Sequence, residues 1–184
     1  MKTTNVIEFF ERVNYDWKKD LNKLSTICHF TKTRHNPDKN EGDMSFGAEQ
    51  CFFVKAVANS IKAEKFFEIG TGRGTACYAV ALEKTVDEVL TVDIVSHFQK
   101  KNEAIGYRSA VVSNHDLYEM IPFEEKEKIK FKHTSEVPFF VDEVEGEFDF
   151  AFIDGNHTDK NIIVNDFNVC NRLVRDGGII LFDD

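Results

Sequence analysis

Residues 65–84 read KFFEIGTGRGTACYAVALEK. A short apolar run carries an acid, Glu68, and is followed at once by glycines at alternate positions, Gly70, Gly72 and Gly74. The apolar run has the length of a buried strand, and the residues after the glycines have helical spacing, so the segment predicts a strand–turn–helix unit. Alternate glycines let the backbone turn sharply and approach a ligand where a side chain would clash. The helix that follows directs its unpaired N–H groups and the positive end of its dipole at the same point.

Four more apolar runs repeat the theme: EVLTVD (88–93), IKFKH (129–133), FDFAFIDG (148–155) and GIILFDD (178–184). Helices are expected at 75–84 and over DKNIIVNDFNVCNRLVRDGG, where Asp176, Gly177 and Gly178 read as the stop. Asp166 and Asn168 fall inside that last helix and are expected to face solvent. Apolar strands alternating with helices predict an α/β class: a doubly wound, mostly parallel sheet covered on both faces. Residues 1 to 30 read as helical, 31–45 as a polar loop with Pro37 and Gly42, and 48–63 as a helix carrying Cys51, Phe52, Val54, Val57, Ala58 and Ile61. The expected organisation is an N-terminal helical extension over 1–45, its polar loop either a plain linker or a lid, then the sheet domain over 46–184. The stretch 94–128 is long for one crossover; it is expected to hold at least one helix and an insertion, GYRSAVVSNHD, that pattern alone does not place.

Charge and cysteine usage narrow the function classes. A net charge of −9 argues against a general nucleic-acid binder, whose affinity rests on Lys and Arg at phosphates. No apolar run reaches the ~20 residues of a membrane span. Glu8, Glu11 and Arg12 interrupt what would be a signal peptide's apolar stretch. Cys28, Cys51, Cys77 and Cys170 form no CxxC pair and read as reduced thiols in a cytoplasm-like compartment. His29 and His35 lack the further ligands zinc would need and read as solvated.

Ligands of open α/β sheets bind outside the carboxyl ends of the strands. The residues there are Glu68 to Gly74, Asp93, Thr134 to Glu136, Asp154 to His157, and Asp183 with Asp184. The dinucleotide fingerprint GxGxxG is not met, because Thr75 stands where its third glycine would be. A carboxylate at Glu68 would repel a pyrophosphate and suit a cationic group, such as an ammonium or a sulfonium. With Glu68, Gly70, Gly72 and Gly74 as an acid–x–Gly–x–Gly–x–Gly motif and Asp93 closing the second strand, the chain resembles the class I S-adenosylmethionine-dependent methyltransferases. The resemblance implies the Rossmann-like methyltransferase fold and S-adenosyl-L-methionine as cofactor. It implies a loop, Gly70–Thr71–Gly72–Gly74, packed against the amino-acid part of that cofactor. Asp93 would take the ribose hydroxyls, and Thr134 and Ser135 would lie near the adenine, with Glu136 an approximate match to an acid found there. Asp93 read by itself is equally a helix cap or a solvated strand end. Members of the family carry two further strands, so the expected sheet is one lacking the last two.

The ends of the last two strands, FIDGNHT and LFDD, resemble the metal-dependent branch that methylates sugars and catechol-like diols. That resemblance implies Mg²⁺ held by Asp154, Asp183 and Asp184, orienting a substrate hydroxyl and lowering its pKa. Neighbouring residues of a strand point to opposite faces, so Asp183 and Asp184 can converge only beyond the strand's end. His157 is a candidate general base with Asp154 beside it. The alternative is that Asp154 or Asn156 caps the next helix and His157 packs there. The expected activity is O-methylation of a small hydroxylated acceptor, with no nucleic-acid or membrane partner and a homo-oligomer as an open expectation. The alternative is a non-catalytic module that holds S-adenosylmethionine or S-adenosylhomocysteine, alone or as a subunit of a larger assembly.

Overall fold

The computed structural model describes residues 5–31, 48–105, 108–155 and 158–183. The chain opens with α1 (Val6–Arg12), capped by Asn5, whose side chain accepts the Ile7 N–H at 2.8 Å. Asn14 then adopts φ 54°, a left-handed conformation that asparagine tolerates better than most residues. It divides the expected first helical stretch, and α2 (Trp17–Thr31) follows. The expected polar loop, from residue 32 on, lies outside the described residues. Next come α3 (Ala48–Ile61), β1 (Lys65–Ile69), α4 (Thr75–Ala81) and β2 (Glu88–Asp93). Then follow β3 (Lys101–Ile105), β4 (Arg108–Val112), α5 (Asn114–Met120), β5 (Ile129–His133), α6 (Val137–Phe140), β6 (Phe148–Ile153), α7 (Lys160–Leu173) and β7 (Val174–Phe182).

The five apolar runs form one parallel sheet in the order β5-β2-β1-β6-β7. From β1 the chain winds outward through β2 to β5, then returns to the other side of β1 and winds outward again through β6 to β7. The crevice where ligands bind such a sheet therefore opens at the carboxyl ends of β1 and its neighbours. Each position of β6 is buried, as are four of five in β1, because both faces of the sheet are covered. Phe66 and Phe67 point to opposite sides. Phe66 packs with Phe150, Phe152, Leu24 and Ile27 of α2, and Val54, Val57 and Ala58 of α3. Phe67 packs with Leu90, Val92, Ala151, and Cys170 and Leu173 of α7.

One local expectation is met and extended, and three are corrected. The segment 94–128 does hold a helix, α5, whose Ser113 and Asp116 form a reciprocal capping box. Before it, β3 and β4 pair as an antiparallel hairpin, a second small sheet to which GYRSAVVSNHD contributes one strand. Gly177 and Gly178 do not stop α7. That helix ends at Leu173, Val174 is already extended, and the glycines lie inside β7. Gly177, at φ 79°, sits where the register against β6 slips between Phe148 and Phe150, as glycine does at a bulge. The cap of α7 is neither Asp154 nor Asn156: Asp159 accepts the Asn161 N–H at 2.9 Å. Asp166 is half-buried rather than solvent-facing, since its Oδ2 would lie 3.3 Å from a Cβ built on Gly155. Among the described residues no helix is long and apolar enough to cross a membrane.

One charge stands inside the most buried strand. Asp149 of β6 accepts the Glu64 and Lys65 N–H groups at 2.7 and 2.8 Å and the Arg175 Nε–H at 2.6 Å. It thereby ties the starts of β1, β6 and β7 together. Burial pushes its carboxyl up, but the two backbone donors and the Arg175 guanidinium outweigh that and hold it below the usual 3.8. Removing such an acceptor leaves three donors without it. Asp149→Ala is expected to cost about 2–4 kcal/mol in urea unfolding at pH 7. The folded carboxyl is the stronger acid, so its stabilisation is present above 3.8 and is lost as pH falls through the folded value. The gap between mutant and wild type should narrow in acid, and a constant gap would contradict this role.

Candidate functional site

The carboxyl ends of the central strands are stitched in succession. The Gly70 N–H donates to the Val92 carbonyl at 2.8 Å, the Asp154 N–H to Ile69 at 2.8 Å, and the Asp183 N–H to Ile153 at 3.0 Å. Gly70 has φ 96°, and a Cβ there would lie 2.0 Å from the Asp154 carbonyl oxygen. No side chain fits, so the loops after β1 and β6 can lie this close only with glycine at 70. Gly74, at φ 85°, would strike the Tyr78 ring. Gly72 differs: at φ 53° a Cβ would meet nothing within 4 Å. Its space opens at the mouth of the loop.

Asp93 joins two strand ends. One carboxylate oxygen accepts the Gly72 N–H at 2.9 Å, and the other accepts the Val95 N–H at 2.8 Å. It therefore holds two turns while facing the glycine loop, and no helix starts at it: the next element is β3. The loop is also held from behind. Arg73 Nη2 donates to the Phe30 carbonyl, and the Thr75 hydroxyl to Thr31 Oγ1 at 3.0 Å. The last turn of α2 is thus bound to the turn that starts α4.

Glu68 is buried, 1% exposed, beneath the loop. The Thr91 hydroxyl donates to it at 2.5 Å, and the Thr71 and Thr91 oxygens lie 2.6 Å apart. With Thr91 donating to Glu68, Thr71 donates to Thr91. This chain links the acid to the glycine loop through two hydroxyls. Burial, with the negative charges of Asp154 and Asp93 adding to it, raises the Glu68 carboxyl to about 8, against the bond from Thr91. The carboxyl is largely neutral at pH 7, so the cationic partner expected of it meets an acid that must first lose its proton.

Beyond β5, Thr134 and Ser135 form a single 3-10 turn with Glu136. His133 spans from this turn to the end of β2: one ring nitrogen lies 2.7 Å from Ser135 Oγ and the other 2.8 Å from the Ile94 carbonyl. Thr134 and Ser135 are thus held beside Asp93, the register partner of His133. Glu136 is engaged locally, by Lys132 at 2.9 Å and the His133 N–H at 2.8 Å.

On the other side of β1, Asp154 and Asp183 converge. Oδ2 of each accepts from the same donor, Gln50 Nε2, at 3.1 and 3.0 Å. Asp183 lies one residue past the end of β7, where it is freed from strand alternation. His157 and Asp184 lie outside the described residues. Two of the three acids expected to hold Mg²⁺ are therefore together, with oxygen donors suited to a hard cation, but an amide nitrogen stands between them. Among the described residues no group of three His, Cys, Asp or Glu could hold a metal. Gln50 and Thr91 are the site residues that sequence reading missed. Gln50 is one of two adjacent polar residues, with Glu49, at the start of a largely apolar helix, and Thr91 is one hydroxyl in an apolar strand; nothing local marks either.

The Glu68 geometry makes a measurable claim. The folded protein keeps this proton up to about 8, while the unfolded chain loses it near 4.5. Its burial therefore costs nothing below 4.5 and progressively more as pH rises to 8. Glu68→Gln retains an acceptor for Thr91 and removes the cost. Relative to wild type, its free energy of unfolding in urea should rise from pH 5 to pH 9, by an amount on the order of a few kcal/mol, since a tenfold change in proton affinity is worth about 1.4 kcal/mol. Parallel wild-type and mutant curves would count against a neutral Glu68.

A family model described as a methyltransferase domain matches residues 67–184. A search of curated proteins finds no significant match. Solved structures with the same fold include the O-methyltransferase TomG from Streptomyces achromogenes, in complex with SAM. It is 18% identical, with a TM-score of 0.55 over 95% of this chain and 73% of that one. An O-methyltransferase from Bacillus cereus in complex with SAH is 16% identical, with a TM-score of 0.55 over 98% of this chain and 75% of that one. An SAH-bound methyltransferase from Podospora anserina is 19% identical, with a TM-score of 0.55 over 100% of this chain and 72% of that one. The glycine loop, Asp93 and both central strands after Phe66 fall inside the matched region, and the chain belongs to the methyltransferase domain family, with the class I S-adenosylmethionine-dependent fold.

Proposed function

We propose that this methyltransferase transfers the methyl group of S-adenosylmethionine to a hydroxyl of a small molecule. The observation that carries the cofactor half is the contrast among the loop glycines. Gly70 and Gly74 are demanded by neighbouring protein atoms, whereas the space over Gly72 is open and faces Asp93. That is a cradle shaped for something other than the chain itself. When bound, S-adenosylmethionine supplies an electrophilic methyl on a sulfonium. Asp93, which accepts one N–H on each oxygen, would accept from the ribose hydroxyls as well. Thr134 and Ser135 border the base. Glu68, through Thr91 and Thr71, holds the loop in shape, and once ionised it balances the cofactor's positive charge.

The acceptor side is the wall formed by Asp154 and Asp183. It would hold the acceptor hydroxyl for the methyl group that S-adenosylmethionine would supply, and the hydroxyl proton would pass to a base on this wall. Asp154 is one candidate; His157 is the other, from its place three residues on in sequence. Positioning and charge stabilisation would supply most of the rate. O-methyltransferases among the structural relatives support the choice of oxygen as acceptor. A carboxylate-lined wall favours a neutral or cationic small molecule over nucleic acid.

Two variants separate the halves of the site. Asp93→Ala should weaken S-adenosylhomocysteine binding at least tenfold by calorimetry, roughly 1.4 kcal/mol. Asp154→Asn should keep that affinity within a factor of about two to three, since it lies outside the ribose contacts, and lose turnover against a panel of catechols, sugars and other hydroxylated acceptors. Unchanged affinity in Asp93→Ala would sink the pocket assignment. Tight binding with no turnover on any acceptor would move the protein to the class of non-catalytic cofactor-binding modules.

A further inference from the structure

Gln50 occupies the point where Asp154 and Asp183 meet, and the geometry points to it as a built-in neutral occupant of the acid pair, which a divalent cation must displace to bind there. The inference rests on the reading of these two acids as the acceptor wall, and it concerns what that wall is available to hold.

The side chain arrives from a fixed base. Gln50 precedes Cys51, which is completely buried, and Val54, Val57 and Ala58 of the same helix lie in the core beside Phe66. The start of α3 is thereby set at the carboxyl edge of the sheet. From there the amide nitrogen reaches one oxygen of Asp154 at 3.1 Å and one of Asp183 at 3.0 Å. An amide NH₂ has two hydrogens, and this geometry gives one to each carboxylate. The nitrogen, not the amide oxygen, must face the acids, because an oxygen there would oppose two acceptors.

A divalent cation bridging the two acids through these oxygens would need the place the nitrogen holds. Mg²⁺ takes oxygen ligands at about 2.0–2.1 Å, and a nitrogen hydrogen-bonded to both oxygens already fills the space between them. The two occupants therefore exclude each other. Gln50 holds the acids together without charge, which is one of the jobs a cation would do, but it supplies no Lewis acidity. Cation affinity is accordingly set by a residue from the N-terminal half of the chain, outside the matched family region, as well as by the acids at the strand ends.

The test is a titration with Mn²⁺, reading the free-ion electron paramagnetic resonance signal, on wild type, Gln50→Ala, Gln50→Ser and the double variant Gln50→Ala/Asp183→Asn. Gln50→Ala and Gln50→Ser should bind Mn²⁺ at least tenfold more tightly than wild type, and the double variant should lose the gain. S-adenosylhomocysteine calorimetry on each variant certifies that the fold and the cofactor half are intact. Equal Mn²⁺ affinity in wild type and in whichever single variant retains cofactor binding would overturn the inference, as would a gain that survives Asp183→Asn. Failure of wild type to bind S-adenosylhomocysteine would instead count against the proposed function and leave the Mn²⁺ comparison readable.

Discussion

The contact between the loop after β1 and the loop after β6 governs the site. At Gly70 the two backbones approach so closely that a single methyl group would overlap the Asp154 carbonyl. Parallel neighbours in a sheet normally diverge at their carboxyl ends, because each chain leaves for its own helix. Here they are held together by the Asp154 N–H to Ile69 bond, and the absent side chain permits it. Two consequences follow from this one approach. The glycine loop is forced to fold over the end of β2, where Asp93 receives it. Asp154 is placed beside Asp183 instead of splaying away. Cofactor cradle and acid pair are two sides of one steric requirement.

A second constraint acts from below the loop. Lys55, 4% exposed, donates to Glu83 at 2.7 Å and pairs with Asp20 at 3.2 Å; the Tyr15 hydroxyl donates to Asp20 at 2.8 Å. A buried cation between two carboxylates adds little net stability over an apolar packing, but it severely penalises any arrangement that separates the three. It therefore specifies how the first two helices sit against α3 and the end of α4. The same helices reach the glycine loop through Phe30 and Thr31. The charged cluster and the loop contacts together lock α2 to both ends of α4.

Which parts of this were readable from the chain alone follows from the range of the interaction. The strand–glycine–helix unit and Asp93 are legible because their signals are local: an apolar run, a spacing, an acid at a strand's end. All five strands of the main sheet carry enough apolar residues to stand out. The β3–β4 hairpin does not, because KNEAI and RSAVV mix polar and apolar residues in a sheet of only two strands, with little core to enforce alternation. Gly177 misled for a related reason. A left-handed glycine after a helical run is the usual stop signal, but the same backbone conformation also makes a bulge, and only pairing with β6 decides between them. Gln50, Thr91, Asp149 and Lys55 are invisible as functional or structural anchors, since their partners lie from 20 to 133 residues away.

The buried Lys55 cluster also separates two boundaries that are easily conflated. The match to the family model begins at residue 67, within β1. The unit that must collapse together begins earlier, because Leu24, Ile27 and Val54 complete the apolar layer over Phe66 and Phe150, and Glu83 depends on Lys55 for its countercharge. A fragment excised at the boundary of the match would present a bare aromatic sheet face and an orphaned interior anion. It would be expected to aggregate rather than fold, so expression of a minimal catalytic piece would have to retain the helices that lie outside the family match.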